Sequence, residues 1–579
     1  MKKYNAEKSV QILIALLKAH NVKKVIVSPG NTNITFVGSI QTDPFFEIYS
    51  CVDERSAAYM ACGLSEESGE PVCISCTGAT ASRNYMPGLT EAYYRKLPIV
   101  AITSSQCNGR IDNLIAQVTD RTVLPNDIVK LSVSLPIVHS NEDFWECENK
   151  INKVLIECKR EGCGPVHINL QTLYTPDFSV HELPIVNKIN RYEFEDEFPE
   201  ISDKRVAIFI GSHKCFTQSE TSVIERFCEK YNSVVFCDNT SGYYGKYKVL
   251  YEIASYQASV EKEYPDLIIH LGEISGAYGG MWKSKEIWRV SEDGKVRDPY
   301  KLLTAIFDMK EQSFFSKYLE RGLFSNNLSY YKKCKEYVEY LRNNIPELPF
   351  SNFWVAKVTA PMIPKGSYIH FSILNSLRAW NFFELDSSIK TTSNVGGFGI
   401  DGPISTVVGA SFANPDKIHY LVVGDLAFFY DMNALGNRHI GNNIRILLIN
   451  NGEGTQFTMS NSFGKVHLKD DVYPFVAARG HYGNQSNKLV KVYTESLGFA
   501  YRNAYNKEQF YDALQWFTST ELNTSMILEV FTYSEDESIA TERMLNIDID
   551  PKFVIKDATK DAIKNFLGEK IITKIKNKL

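Results

Sequence analysis

No run of this chain approaches the roughly 18 consecutive apolar residues that would span a bilayer. The apolar stretch nearest the N-terminus, residues 12–17, stops at Lys18 and has the spacing of an amphipathic helix, so no signal peptide is read there. Excess positive charge is also missing. Lys and Arg number 63 against 68 Asp and Glu, a formal net charge of -5 that leaves no global field for nucleic acid. Cysteine is absent beyond Cys334, and without a signal peptide the twelve up to and including it read as reduced thiols. Cys73 and Cys76 form a lone CxxC in Pro71-Val-Cys-Ile-Ser-Cys76, an apolar run with strand character. Side chains three apart on a strand point to opposite faces, which argues against a shared metal. Also lacking are short repeats, low-complexity segments and a GxGxxG dinucleotide fingerprint. These absences point to a cytoplasmic protein with neither nucleic acid nor membrane as partner.

What is present is ordinary globular composition, 44% hydrophobic and 23% charged, over a length that accommodates about three domains. Short apolar runs alternate with helical patterns throughout, which predicts an α/β fold of three parallel-sheet domains. Residues 1–180 carry candidate strands at 25–27, 46–51, 71–75, 97–103 and 166–170. A stretch rich in Pro, Glu and Asp follows at 180–200 and reads as a linker. Residues 195–345 carry candidate strands at 206–210, 234–237, 267–271 and 287–290. Gly211 and Gly272 follow two of these, and without the dinucleotide fingerprint their role reads as structural. Residues 350–579 carry candidate strands at 368–372, 389–392, 420–423, 444–449 and 526–531. Lys and Asp dominate the last thirty residues, which predicts a solvated helical tail.

The densest chemical signal is Gly424-Asp425-Leu426, then, after Asp425, 24 residues and Asn450-Asn451. Each half ends an apolar run, and in a parallel sheet the carboxyl ends of neighbouring strands face one crevice. A single strand-helix-strand unit therefore brings Asp425 and Asn451 together. A carboxylate oxygen and an amide oxygen are hard donors suited to Mg²⁺. A helix opening just after Asp425 presents amides and a dipole that favour a diphosphate. A plain helix cap at Asp425 and a turn at Asn451 use the same residues.

Gly-Asp, a spacer of this length and Asn-Asn resembles the thiamine-diphosphate motif of the 2-oxo-acid decarboxylase and acetolactate synthase superfamily. The first block adds Ser28-Pro-Gly30, Asp53-Glu54-Arg-Ser-Ala-Ala-Tyr59, Cys76-Thr-Gly-Ala-Thr-Ala81 and Gly164-Pro-Val-His-Ile-Asn169. With Ala116-Gln-Val-Thr-Asp120, residues 393–402 and Asp431-Met-Asn-Ala-Leu435, the pattern is most similar to the menaquinone-biosynthetic branch. The resemblance implies a pyrimidine-binding first domain, a central domain and a diphosphate-binding third domain. It also implies a homodimer or dimer of dimers, with the active site between subunits.

By that resemblance Glu54 hydrogen-bonds the aminopyrimidine ring and starts the proton relay, and Gln117 is an active-site glutamine. For Gln117 a surface helix position is the competing reading. Asp425, Asn451 and the backbone carbonyl of Glu453 hold Mg²⁺. Gly399, Ile400, Gly424, Leu426, Ala427 and Gly454 complete the thiamine-diphosphate site, with Ile400 as the apolar wedge beneath the bent cofactor. The implied reaction decarboxylates a small 2-oxo acid donor and passes the acyl anion to an unidentified acceptor. Simple decarboxylation and a menaquinone-type synthase with an altered substrate site are the alternatives. That branch binds carboxylate-rich substrates through arginines, but the matching positions here are Thr32, Trp380 and Val395. Their lack of charge points to a smaller or less anionic donor such as pyruvate. Asn31, beside Thr32, and Arg479 and His481 in the polar stretch 479–485 are further substrate candidates.

Overall fold

A computed structural model describes residues 2–201, 204–257, 264–276, 283–322, 327–460, 462–481 and 486–548. The expected α/β class is what it shows, as three sheets of parallel strands flanked by helices. By contact density the chain divides into two units, Met1–Phe198 with Trp288–Met309, and Pro199–Ile287 with Lys310–Leu579.

The first unit holds a six-stranded sheet made of β1 (Lys24–Val27), β2 (Glu47–Ser50), β3 (Val72–Thr77), β4 (Ile99–Ser105), β5 (Ser132–Ser134) and β6 (Val166–Gln171). Their order is β2-β1-β3-β4-β6-β5, and every pairing is parallel. Both faces are covered, which is why these strands read as unbroken apolar runs. Val25, Cys73, Val100 and Val166 pack on one side with the helices Lys8–Ala19 and Asn141–Lys159. Ile26, Ile74, Cys76 and Ala101 pack on the other with Glu54–Ser68 and Met86–Tyr94. Cys73 and Cys76 thus lie in different cores, as the strand period requires. All twelve cysteines are free thiols.

Strands of a middle sheet occur in both units: β7 (Asn190–Tyr192), β8 (Val206–Ile210), β9 (Val234–Cys237), β10 (Lys248–Leu250), β11 (Leu267–Leu271), β12 (Glu286–Val290) and β13 (Leu303–Phe307). In the first unit β7 pairs with β13, and Tyr192 stacks on Phe307 at 5.1 Å between ring centroids. This strand forms inside the acidic stretch read as a linker. In the second unit the order is β10-β9-β8-β11.

The third sheet lies wholly in the second unit. Its strands are β14 (Tyr368–Phe371), β15 (Lys390–Ser393), β16 (His419–Gly424), β17 (Ile444–Asn450), β18 (Ala500–Ala504) and β19 (Met526–Phe531). Their order, β15-β14-β16-β17-β19-β18, repeats the winding of the first sheet strand for strand. β18 is an edge strand with three of its five residues half-buried, and its sequence, Ala-Tyr-Arg-Asn-Ala, holds no apolar run that would announce it. Among the described residues no helix is long and apolar enough to cross a membrane. The helical tail expected for the last thirty residues lies outside the described residues.

Candidate functional site

In the third sheet the chain leaves β14 towards β15 on one side and β16 on the other, so the strand order reverses between β14 and β16. A crevice at the carboxyl ends of such strands is where open α/β sheets bind ligands. β16 delivers Gly424 and Asp425 to this edge, and the helix Asp425–Asp431 begins there. A side chain at Gly424 would meet no atom within 4 Å, so the space beside it is open. Asp425 is 5% exposed. Its Oδ1 accepts the Leu426 amide at 2.7 Å and its Oδ2 the Gly452 amide at 2.6 Å. Gly452 has φ of 77°, a left-handed conformation that glycine adopts without steric cost. Burial pushes the Asp425 carboxyl up to about 7, against the backbone amides that lower it.

β17 brings Asn451 to the same edge. The Oδ1 of Asn451 is buried and accepts no hydrogen bond among the described residues. A buried carboxylate beside a buried, unsatisfied amide oxygen is costly as it stands. A hard divalent cation resolves both costs, so these donors fit Mg²⁺. The Glu453 carbonyl, the third expected ligand, accepts the Thr455 amide at 3.0 Å. The Glu453 side chain is buried. Its Oε1 accepts from Thr458 Oγ1 at 2.8 Å, and its Oε2 pairs with Arg479 Nε at 2.5 Å. Arg479 also lies over the Tyr473 ring, 3.5 Å from its centroid. Arg479, expected to face substrate, is thus engaged by a carboxylate and a ring within its own unit.

Around this edge Ala427 is buried and Leu426, Gly399, Gly454 and Ile400 are half-buried, with Ile400 packed against the sheet core. His481 is exposed, and the rest of its stretch, 482–485, lies outside the described residues. Val395 is 3% exposed. Trp380 is fully buried, its ring 5.3 Å from that of Phe371, and faces no solvent within its unit. The part played by Gly452 was not foreseen. Its only signal was a glycine placed directly after Asn-Asn.

The first unit holds the second group of candidates at the matching reversal, between β1 and β3. Gly30 follows β1, and a Cβ there would fall 1.9 Å from Thr77 Cγ2 at the end of β3. Any side chain there would require Thr77 to move. Thr32 is buried, its hydroxyl donating to the Ser104 carbonyl at 2.6 Å, while Asn31 is exposed. Asp53 follows β2 and caps the helix Glu54–Ser68, its side chain accepting the Arg55 amide at 2.9 Å. That cap fixes Glu54 as the first helical residue, half-buried, its one side-chain hydrogen bond among the described residues a long 3.5 Å contact from Asn84 Nδ2. Gln117 is exposed in a turn with φ of 66°, not on a helix as its competing reading had it.

Residues 8–123 match the family described as thiamine pyrophosphate enzyme, N-terminal TPP binding domain. Over most of its length the chain is similar to proteins named 2-succinyl-5-enolpyruvyl-6-hydroxy-3-cyclohexene-1-carboxylate synthase. It is 31% identical to that of Bacteroides fragilis over 559 residues, covering 91% of this chain and 97% of the relative. With that of Bacteroides thetaiotaomicron it shares 30% over 558 residues, covering 91% and 96%. With that of Flavobacterium johnsoniae it shares 30% over 482 residues, covering 77% and 84%. The chain belongs to the thiamine-pyrophosphate-enzyme family, in the group represented by these synthases.

Proposed function

We propose that this protein is a thiamine-diphosphate- and Mg²⁺-dependent synthase that removes CO₂ from a 2-oxo acid and joins the remaining acyl group to an acceptor. The observation that carries the reading is the Asp425–Asn451 edge, two buried oxygen donors at a sheet reversal, in a chain similar along most of its length to named synthases. Those names support the synthase alternative over a pyruvate carboligase and over simple decarboxylation. When bound, thiamine diphosphate supplies an electron sink at its thiazolium ring for the loss of CO₂.

The chain's own residues do the rest. Asp425 and Asn451 would hold the cation that neutralises the diphosphate, and the positive end of the helix Asp425–Asp431 would favour its charge. Ile400 would pack against the bound coenzyme. Glu54 accepts and returns a proton at the pyrimidine ring, a role favoured by its place at a helix start with no strong partner. The two halves of the site come from different subunits of a homodimer or dimer of dimers. Exposed apolar side chains flank both halves, Leu114 and Val123 around Gln117 and Phe463 and Phe475 after the Asn-Asn motif, as expected of surfaces that an oligomer covers. Thr32, Trp380 and Val395 carry no cation for a substrate carboxylate and are buried within their units, so a substrate carboxylate would be met by other residues.

The test is to incubate the protein, thiamine diphosphate and Mg²⁺ with monocarboxylic and dicarboxylic 2-oxo acids. The cyclohexadiene carboxylate implied by the ring of the relatives' product is offered as acceptor. Acceptor-dependent CO₂ release with a joined product by mass spectrometry is expected, and Glu54→Gln should nearly abolish it with the fold intact. Turnover like wild type in Glu54→Gln, or CO₂ release with aldehyde as the sole product, would defeat the reading.

A further inference from the structure

A cavity of about 480 Å³ lies in the first unit, away from the residues discussed above. Its walls are the C-terminal half of the helix Asn141–Lys159 with Arg160, the residues just before β5, Lys130 and Leu131, and the segment 294–297. Five cationic side chains line it, Lys130, Lys153, Arg160, Lys295 and Arg297, against one carboxylate, Glu157. The chain as a whole is acidic, so this concentration runs against its average.

The pairing inside the cavity is incomplete. Glu157 is shared between Lys130 at 3.5 Å and Arg160 at 3.0 Å. Arg297 is held by Asp293 and Arg160 also by Glu161. Lys153 forms no hydrogen bond or ion pair among the described residues, although Lys150 and Arg297 act on it as like charges. Burial, followed by those two charges, lowers its pKa, with Asp298 opposing. Asp298 is itself committed to the amides of Leu302 and Leu303 and to the Trp145 indole. Arg160 is 9% exposed, and its buried Nε has no acceptor among the described residues. Crowded cations with an unanswered ammonium and an unanswered buried guanidinium donor are unfavourable unless an anion joins them.

We infer that this cavity binds a small organic phosphate, its phosphate on Lys153 and Arg160 and its organic body against Leu131, Ile156 and Val296. A phosphate group is favoured over a single carboxylate because it carries nearly two charges and three acceptor oxygens to answer several cations at once. Apolar lining beside the cations favours an organic ester over the free ion.

The full-length protein is titrated with ADP and with inorganic phosphate as probes, and with citrate at equal ionic strength as the carboxylate control. ADP should bind more tightly than phosphate or citrate and raise Tm. Lys153→Glu should weaken ADP binding by about tenfold or more, and Lys153→Gln by less, with circular dichroism unchanged. Asp425→Asn should bind ADP like wild type, which separates this cavity from the diphosphate edge. ADP affinity that is unaffected in Lys153→Glu, lost in Asp425→Asn, or matched by citrate would overturn the inference, as would the absence of ADP binding.

Discussion

Asn451 keeps its Oδ1 buried without a partner among the described residues, a cost to the folded chain. Asn451→Leu removes that oxygen. It should therefore leave the stability of the metal-free protein unchanged or raise it by up to about 1 kcal/mol, while weakening Mg²⁺-supported thiamine diphosphate binding by about a hundredfold. Urea denaturation paired with a fluorescence titration of the cofactor separates the two effects. A loss of stability without loss of binding would make the residue structural. Glu537 is a buried carboxyl of another kind. The Asn352 amide donates to both its oxygens, at 3.0 and 3.1 Å, and Thr532 Oγ1 donates at 2.7 Å. Burial nevertheless lifts it from its ordinary 4.5 to about 7. An acid whose folded pKa lies above its unfolded one stabilises the fold fully below 4.5, and that stabilisation is lost as pH rises through about 7. Gln does not titrate. The stability of Glu537→Gln relative to wild type should rise by about 2–3 kcal/mol between about pH 5 and about pH 8, read from denaturation curves at each pH.

At the scale of the element, Gly88 sets how closely the helix Met86–Tyr94 approaches the helix Glu54–Ser68. A Cβ at this position would stand 2.5 Å from Ala58 Cβ and 2.9 Å from the Ala58 carbonyl carbon. Ala is intrinsically better than Gly in a helix by about 1 kcal/mol, so propensity alone predicts a gain. Overpacking against backbone costs about 1–3 kcal/mol and decides the sign. Gly88→Ala should lower stability, and because the displaced helix carries Glu54, turnover should fall as well. Differential scanning calorimetry and a rate assay check both. Elements were legible in the sequence where apolar runs were continuous. β8, β9, β11 and β19 lie where the runs placed them, because a parallel strand buried on both faces has no polar side to interrupt it. β5, β7, β10, β13 and β18 were not read. β5, β7, β10 and β18 are short or half-exposed, and the apolar residues of β13 merge with neighbouring helical patterns.

At the scale of the whole molecule, the same winding occurs twice, and each copy carries one half of the proposed site at its own reversal of strand order. If the halves meet across a subunit boundary, two inactive variants damaged in different halves can complement each other. Glu54→Gln and Asp425→Asn, each inactive alone, should recover about a quarter of wild-type activity when unfolded together and reassembled as random dimers, since only mixed dimers hold one intact site. No recovery above the parent variants would place both halves in one chain.

The sequence by itself determined the α/β class, the chemical identity of Asp425, Asn451 and Glu54 and their family, because burial periodicity and donor chemistry are local properties of the chain. It did not reveal the repeated winding, since strand order follows from which faces bury together and leaves no repeat of residues. Only the tertiary structure decided that Gly452 holds Asp425, that Arg479 is turned to Glu453 and that Trp380 is sealed in the core. Each of these depends on a long-range contact between segments whose approach is set by sheet packing, and no local pattern encodes that approach.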